Sequence, residues 1–168
     1  MRSQRKDKPV QTELPQTRSC FACGGNHPFG LCLKMTTDGT RVFCRWKPSN
    51  THTGFSHAIH GGLIATVLDE MMAWACGIVG GKFAYSAEMT IRYHNILEPG
   101  DLAECTGALV ENRRNRIFKT SAVIHSKGRD IASSEGKYIP LKDFTLDGLK
   151  QEFGDGWKGI AKYTHPHE

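Results

Sequence analysis

Apolar and polar residues alternate along most of the chain, with one long exception. In LCLKM, residues 31–35, Leu31, Leu33 and Met35 share one face; TTDG follows as a turn, and TRVFCRW, residues 40–46, alternates again, which predicts a hairpin. KPSNTHTGFS, residues 47–56, is a loop by composition. The period then lengthens. From Gly61 to about Gly77 the chain is apolar nearly all round, closed by the glycines at 77, 80 and 81, which predicts one long buried helix. Two-residue alternation returns in SAEMTIRY, residues 86–93, with Ala87, Met89, Ile91 and Tyr93 inward and Ser86, Glu88, Thr90 and Arg92 outward. LAECTGALV (102–110), RIFKTSAVIH (116–125) and IASSEGKYI (131–139) continue as strands joined by LEPGD, ENRRN and SKGRD, and Pro140 ends the last. Helix and strands segregate, so the class is α+β: a curved antiparallel sheet of about six strands wrapped around one central helix.

The ends read differently. Residues 1–18 carry charges, Gln, Thr and two prolines with almost no apolar content, which predicts a disordered basic arm. Residues 19–140 then form the domain, and residues 141–168 a tail whose Phe144, Leu146, Leu149 and Phe153 form a short amphipathic helix that packs on the domain or a partner, or frays. At 168 residues the chain is long enough for one well-cored domain. The net charge of +5 is mild and lies largely in the arm, too sparse a basic face for nucleic acid. Asp69 and Glu70 interrupt the apolar region 58–79, which excludes a membrane span. Of the six cysteines, Cys44, Cys76 and Cys105 lie in apolar segments and read as small hydrophobes. No secretion signal is visible, so the expected setting is a reducing cytoplasm without a disulfide framework.

Two adjacent acids inside a buried helix need a reason. Neighbouring helical residues point about 100° apart, so Asp69 and Glu70 serve different faces. Asp69 shares its face with Gly62, Ala65, Thr66, Ala73 and Cys76, nearly all small; Glu70 lies with the bulkier Leu63, Val67 and Trp74. A carboxylate on a buried face has a raised pKa and is a candidate general base. At the helix start, Gly61 and Gly62 expose amides without intrahelical partners, and such amides stabilise a developing oxyanion. Activated water on one side and a polarised carbonyl on the other give acyl hydrolysis. The competing reading pairs the acids with Arg92 or Arg45 and assigns no chemistry; His60 is then a helix cap rather than a catalytic group.

HGGLIATVLDEMM resembles the helix signature of hot-dog-fold acyl-CoA thioesterases, in the branch near the phenylacetyl-CoA and 4-hydroxybenzoyl-CoA enzymes. YSAEMTIRYHNILEPGD is similar to the strand and turn that follow, ENRRNR and IASSEGKYI also fit, and CFACGGNHPFGLCLKM resembles the opening of one subgroup; together these cover about residues 20–140. The resemblance implies dimers or tetramers with active sites between subunits. It gives Asp69, nine positions after His60, the base or nucleophile role, with Glu70 as rival. Gly61 and Gly62 match the carbonyl-binding amides, and Ser86 matches a hydroxyl that orients the attacking water. Two positions depart: Gly54 stands where relatives carry Asn or Gln, and His57 where Gly is usual.

Three further expectations concern ligands. Cys20 and Cys23 have the spacing of a zinc half-site, to be completed by His52 with His57 or His60 in a structural site; the competing reading is two thiols in a turn fixed by Gly24 and Gly25. Arg113, Arg114 and Arg116 suit coenzyme A phosphates, or are simply a solvated turn. The acyl chain is expected beside the helix near Met71, Met72 and Trp74. The function read from the sequence is thus acyl-CoA thioester hydrolysis needing no cofactor for its chemistry, in a homodimer or homotetramer. The alternatives are a hydratase or dehydratase of the same fold and a non-catalytic acyl-CoA or lipid binder.

Overall fold

The computed structural model describes residues 10–142 and 145–165. Seven strands form a single antiparallel sheet: β1 (Thr12–Glu13), β2 (Met35–Thr37), β3 (Arg41–Trp46), β4 (Ala84–Tyr93), β5 (Ala103–Arg113), β6 (Ile117–Ser126) and β7 (Arg129–Pro140). Between β3 and β4 runs α1 (Gly61–Ile78); α2 (Leu146–Phe153) and α3 (Trp157–Ala161) follow β7. Spatial order is β1-β2-β3-β5-β6-β7-β4, so α1 carries the chain across the sheet to its far edge. This is the expected α+β arrangement of a curved sheet around one helix, with β1 as an added strand.

The burial of α1 explains its composition. Val67, Leu68, Met71, Met72, Ala75 and Cys76 are sealed from solvent, packed against inward residues of the sheet such as Phe118, Ile124 and Tyr138. Cys44 and Cys105 pack in the same core as small hydrophobes. The helix is long and apolar enough to cross a membrane, but here it is the core helix of the fold. Helix and sheet meet closely at Gly107, where a Cβ would strike the Met71 carbonyl oxygen, so no side chain fits. Register breaks in β4, β5 and β7 bend the sheet around the helix.

Three expectations are corrected. In β4 the simple alternation fails: the register break between Ser86 and Glu88 puts Ala87 out of phase. Ser86 then pairs with Tyr138, and cross-strand partners share a face, so Ser86 lies on the helix side of the sheet rather than the outer side. The arm does not extend to residue 18. β1 pairs with β2, Leu14 is buried, and the Arg18 amide donates to the Glu152 carbonyl at 2.8 Å. One leucine inserted in an apolar gap and a short backbone ladder suffice to hold this segment. The basic residues Arg2, Arg5, Lys6 and Lys8 lie outside the described residues, as does Phe144.

The tail is part of the core. Thr145 caps α2 by accepting from the Gly148 amide at 3.1 Å. Leu149 and Ile160 are fully buried, and Phe153 packs edge-on against Trp74 of α1, with ring centroids 5.9 Å apart. Leu149→Ala should therefore lower unfolding stability in urea by about 2–5 kcal/mol. A loss below about 0.5 kcal/mol, the range of ordinary surface changes, would show that the tail does not dock.

Candidate active site

The start of α1 is set by His60. Its backbone sits at φ −58° and ψ 128°, outside the helix, while its Nδ1 accepts from the Gly62 amide at 2.9 Å. The Leu63 and Ile64 amides both donate to the His60 carbonyl. This leaves the Gly61 amide without a partner among the described residues. The two open amides expected from the sequence thus reduce to one, because the imidazole that precedes them uses the other. The cap occupies Nδ1 of His60 and gives the ring a local task at the helix start. The Gly61 carbonyl accepts from the Tyr93 hydroxyl at 2.9 Å. A cleft of about 290 Å³ opens here, lined by Gly61, Ile64, Tyr93 and Ile96 among others. A free N–H at the positive end of a helix is suited to hold a carbonyl oxygen that gains negative charge.

Two turns further on, the buried Tyr138 hydroxyl donates to Asp69 Oδ1 at 2.6 Å. Burial and the adjacent Asp69 carboxylate push the Tyr138 pKa up, so the phenol stays a donor. Asp69 forms no ion pair among the described residues, and it is only half-buried. Ser86 reaches the same side of the sheet through its pairing with Tyr138. Tyr138 therefore holds Asp69 at one place, with Ser86 as its cross-strand neighbour, and Gly61 lies at another. Eight residues of helix separate Gly61 from Asp69, which at about 1.5 Å per residue is roughly 12 Å. A single thioester cannot touch both within one chain.

Glu70 faces elsewhere. Trp74, one turn on, donates its indole N–H to Glu70 Oε1 at 2.8 Å. On its other side stand Cys20, with Sγ 3.8 Å from Oε2, and Cys23. Burial first, and then the neighbouring Cys20 thiolate, raise the Glu70 pKa to about 7. Hydrogen bonding from Cys23 holds the Cys20 thiol down at about 5. The third donor beside the cysteine pair is thus Glu70, not the expected histidines. His52 has its Nδ1 occupied by the Ser49 amide at 2.9 Å and its ring against Trp46; His57 is exposed on the loop before α1.

The expected acyl-binding residues are also displaced. Met72 is fully buried against β7 near Gly136, and Trp74, on another side of α1, is enclosed by Phe83 and by Phe153 of the tail, so the chain's own residues fill both places. On the β5–β6 hairpin, Arg113 is tied to Glu111 at 2.6 Å, and Lys119 shares that carboxylate. Arg114 and Arg116 have no ionic partner among the described residues and flank a surface hollow of about 450 Å³.

Residues 57–132, from the loop before α1 into β7, match the profile of the Thioesterase superfamily. The match covers less than half of the chain, and over that stretch the chain is similar to this superfamily. Solved structures agree on the hot-dog fold. A thioesterase superfamily protein superposes with a TM-score of 0.66 at 23% identity, over 73% of this chain and 60% of that one. The Escherichia coli PaaI protein from the phenylacetic acid degradation operon gives 0.60 at 18% identity, over 66% of this chain and 80% of that one. A hypothetical thioesterase from Streptococcus pneumoniae, solved with coenzyme A, gives 0.57 at 18% identity, over 61% and 82%. This chain thus spans less than two thirds of the first of these. Comparison with curated proteins gives no match.

The residue at this site that sequence reasoning missed is Tyr138. Its signal was present: it stands on the inward phase of KYIP, and a buried phenol requires an acceptor. Tyr138→Phe removes one hydrogen bond to a carboxylate and should cost about 1–3 kcal/mol in urea unfolding. An unchanged midpoint would mean that Asp69 is held by something else.

Proposed function

We propose that the protein hydrolyses an acyl-CoA thioester at a site shared by two copies of the chain. What supports this is the spacing of its parts: a Gly61 amide without a partner among the described residues and a tyrosine-held Asp69 lie on one rigid helix, too far apart to serve one bond. Two copies related by a twofold axis, with their α1 helices antiparallel, remedy this by setting Asp69 of one opposite Gly61 of the other. The edge strand β4 offers the means. Among the described residues it is paired only on its β7 side; it runs for ten residues and exposes Tyr85 and Tyr93. An open edge of that length is suited to pair with its own copy.

In this arrangement the thioester oxygen accepts from the Gly61 N–H. Asp69 removes a proton from water as the water oxygen attacks the carbonyl carbon, with Ser86 placed to orient it. The negative charge that develops on the oxygen is held at the helix terminus. When the tetrahedral centre collapses, the carbon–sulfur bond breaks and the proton on Asp69 passes to the departing coenzyme A sulfur. The products are a free acid and a thiol, with no acyl group left on the protein. Glu70 is engaged by Trp74 and the cysteine pair, which favours Asp69 as the base. Arg114 and Arg116 remain available for the coenzyme phosphates; Arg113 is neutralised by Glu111. The neighbour solved with coenzyme A supports the ligand class.

Thiol release measured across short, long and aromatic acyl-CoAs tests the reaction and its substrate together. At least one should turn over, and Asp69→Asn should lower kcat by about 10²–10⁴-fold. Full activity in Asp69→Asn with loss in Glu70→Gln would overturn the base assignment. Binding of an acyl-CoA without turnover would favour a carrier instead.

A further inference from the structure

The geometry points to a zinc-class metal site formed by Cys20, Cys23 and Glu70, clamping the amino-terminal loop onto the middle of α1. One ligand atom from each of the three lies within 4.8 Å of the other two. In a tetrahedral site with zinc–sulfur bonds of about 2.3 Å and zinc–oxygen bonds of about 2.0–2.2 Å, neighbouring donors stand roughly 3.5–3.8 Å apart. Cys20 Sγ lies 3.8 Å from Glu70 Oε2 and 3.9 Å from Oε1, close to such an edge.

The surroundings are arranged for thiolates. The Cys-x-x-Cys-Gly segment turns back on itself, with the Gly24 amide donating to the Cys20 carbonyl at 2.8 Å. A Cβ at position 24 would strike that same carbonyl oxygen, so the turn requires glycine. Inside it, the Ala22 amide donates to Cys20 Sγ at 3.3 Å, and Thr17 Oγ1 stands 3.2 Å from Cys23 Sγ. Trp74 fixes the carboxylate by donating to Oε1, as outer hydrogen bonds commonly orient a metal ligand. Cys23 is almost wholly buried. No Lys, Arg or His side chain is ion-paired with Glu70 among the described residues. Three groups able to carry negative charge therefore converge on one point, half withdrawn from water, without a protein cation. A divalent ion resolves that cost: two thiolates and a carboxylate bring −3, the ion brings +2, and the three N–H and O–H groups face the remainder.

The donor set selects the ion. Two thiolates favour zinc over calcium or magnesium, and one carboxylate is common at such sites. Three protein ligands leave the fourth position to water. The site is independent of thioester hydrolysis, but it bears on it. The ion occupies Glu70, which leaves Asp69 as the sole free carboxylate of the pair. It also anchors the loop from Cys20 to Leu33, which is nearly devoid of regular structure, onto the helix that carries Asp69.

The test uses the full chain, purified reduced and without chelator, with zinc measured by elemental analysis. About one ion per chain is expected. Replacement by cobalt should give thiolate-to-metal charge transfer and the visible bands of a tetrahedral centre. Cys20→Ser and Glu70→Gln should each weaken zinc binding at least about tenfold. His52→Ala and His57→Ala should leave stoichiometry unchanged. Absence of zinc after incubation with micromolar zinc chloride would overturn the proposal. So would a cobalt spectrum lacking the thiolate band, which needs no variant to fold, or full stoichiometry surviving Cys20→Ser.

Discussion

An α-helix is a rigid spacer, and α1 sets the distance on which the reading of this protein depends. Gly61 opens the helix, Asp69 lies eight residues on, and the sheet grips the turns between them so tightly that neither can approach the other. Roughly 12 Å of separation, fixed by helical rise, exceeds the span of one scissile bond and its attacking water. Chemistry that uses both groups on the same bond therefore needs two helices. β4, at the end of the sheet, has its outer edge unpaired among the described residues.

Each end of that spacer is held by a different device. At the start, His60 satisfies one amide through its ring and two through its carbonyl, and so isolates the Gly61 N–H as a donor without a partner among the described residues. In the middle, Tyr138 reaches from β7 to hold Asp69, while Trp74 and the cysteine turn draw Glu70 to another side. Adjacent acids on a helix diverge by about 100°, and here the divergence separates a solvent-reachable carboxylate from one enclosed by thiols and an indole.

Much of this was legible in the sequence because periodicity reports burial. The hairpin of β2 and β3, the extent of α1 and the strands β5 to β7 follow from alternation and glycine placement. What was not legible depended on contacts between distant segments. Alternation cannot register a one-residue slip, so Ser86 was placed on the wrong face. Polar composition cannot register a single anchoring leucine, so Leu14 and β1 were assigned to a loose arm. The space beside Trp74 reads as a ligand tunnel until Phe153 fills it from 79 positions away in sequence. The Cys20–Cys23 pair announced a donor set, but its third member had to come from the helix, since His52 is committed to its own turn.

The shared site is tested most directly by mixing two defective chains. Gly61→Pro removes only the donor amide: the position is the first of the helix, where proline is tolerated, and His60 already has the extended backbone that precedes proline. Asp69→Asn removes the base. Each alone should be inactive. If sites join Gly61 of one copy to Asp69 of the other, an equimolar mixture exchanged to equilibrium contains hybrid dimers with one intact site, and recovers about a quarter of wild-type thioester hydrolysis. No recovery on mixing, with hybrids confirmed by mass, would place both groups' work within a single chain and contradict the account.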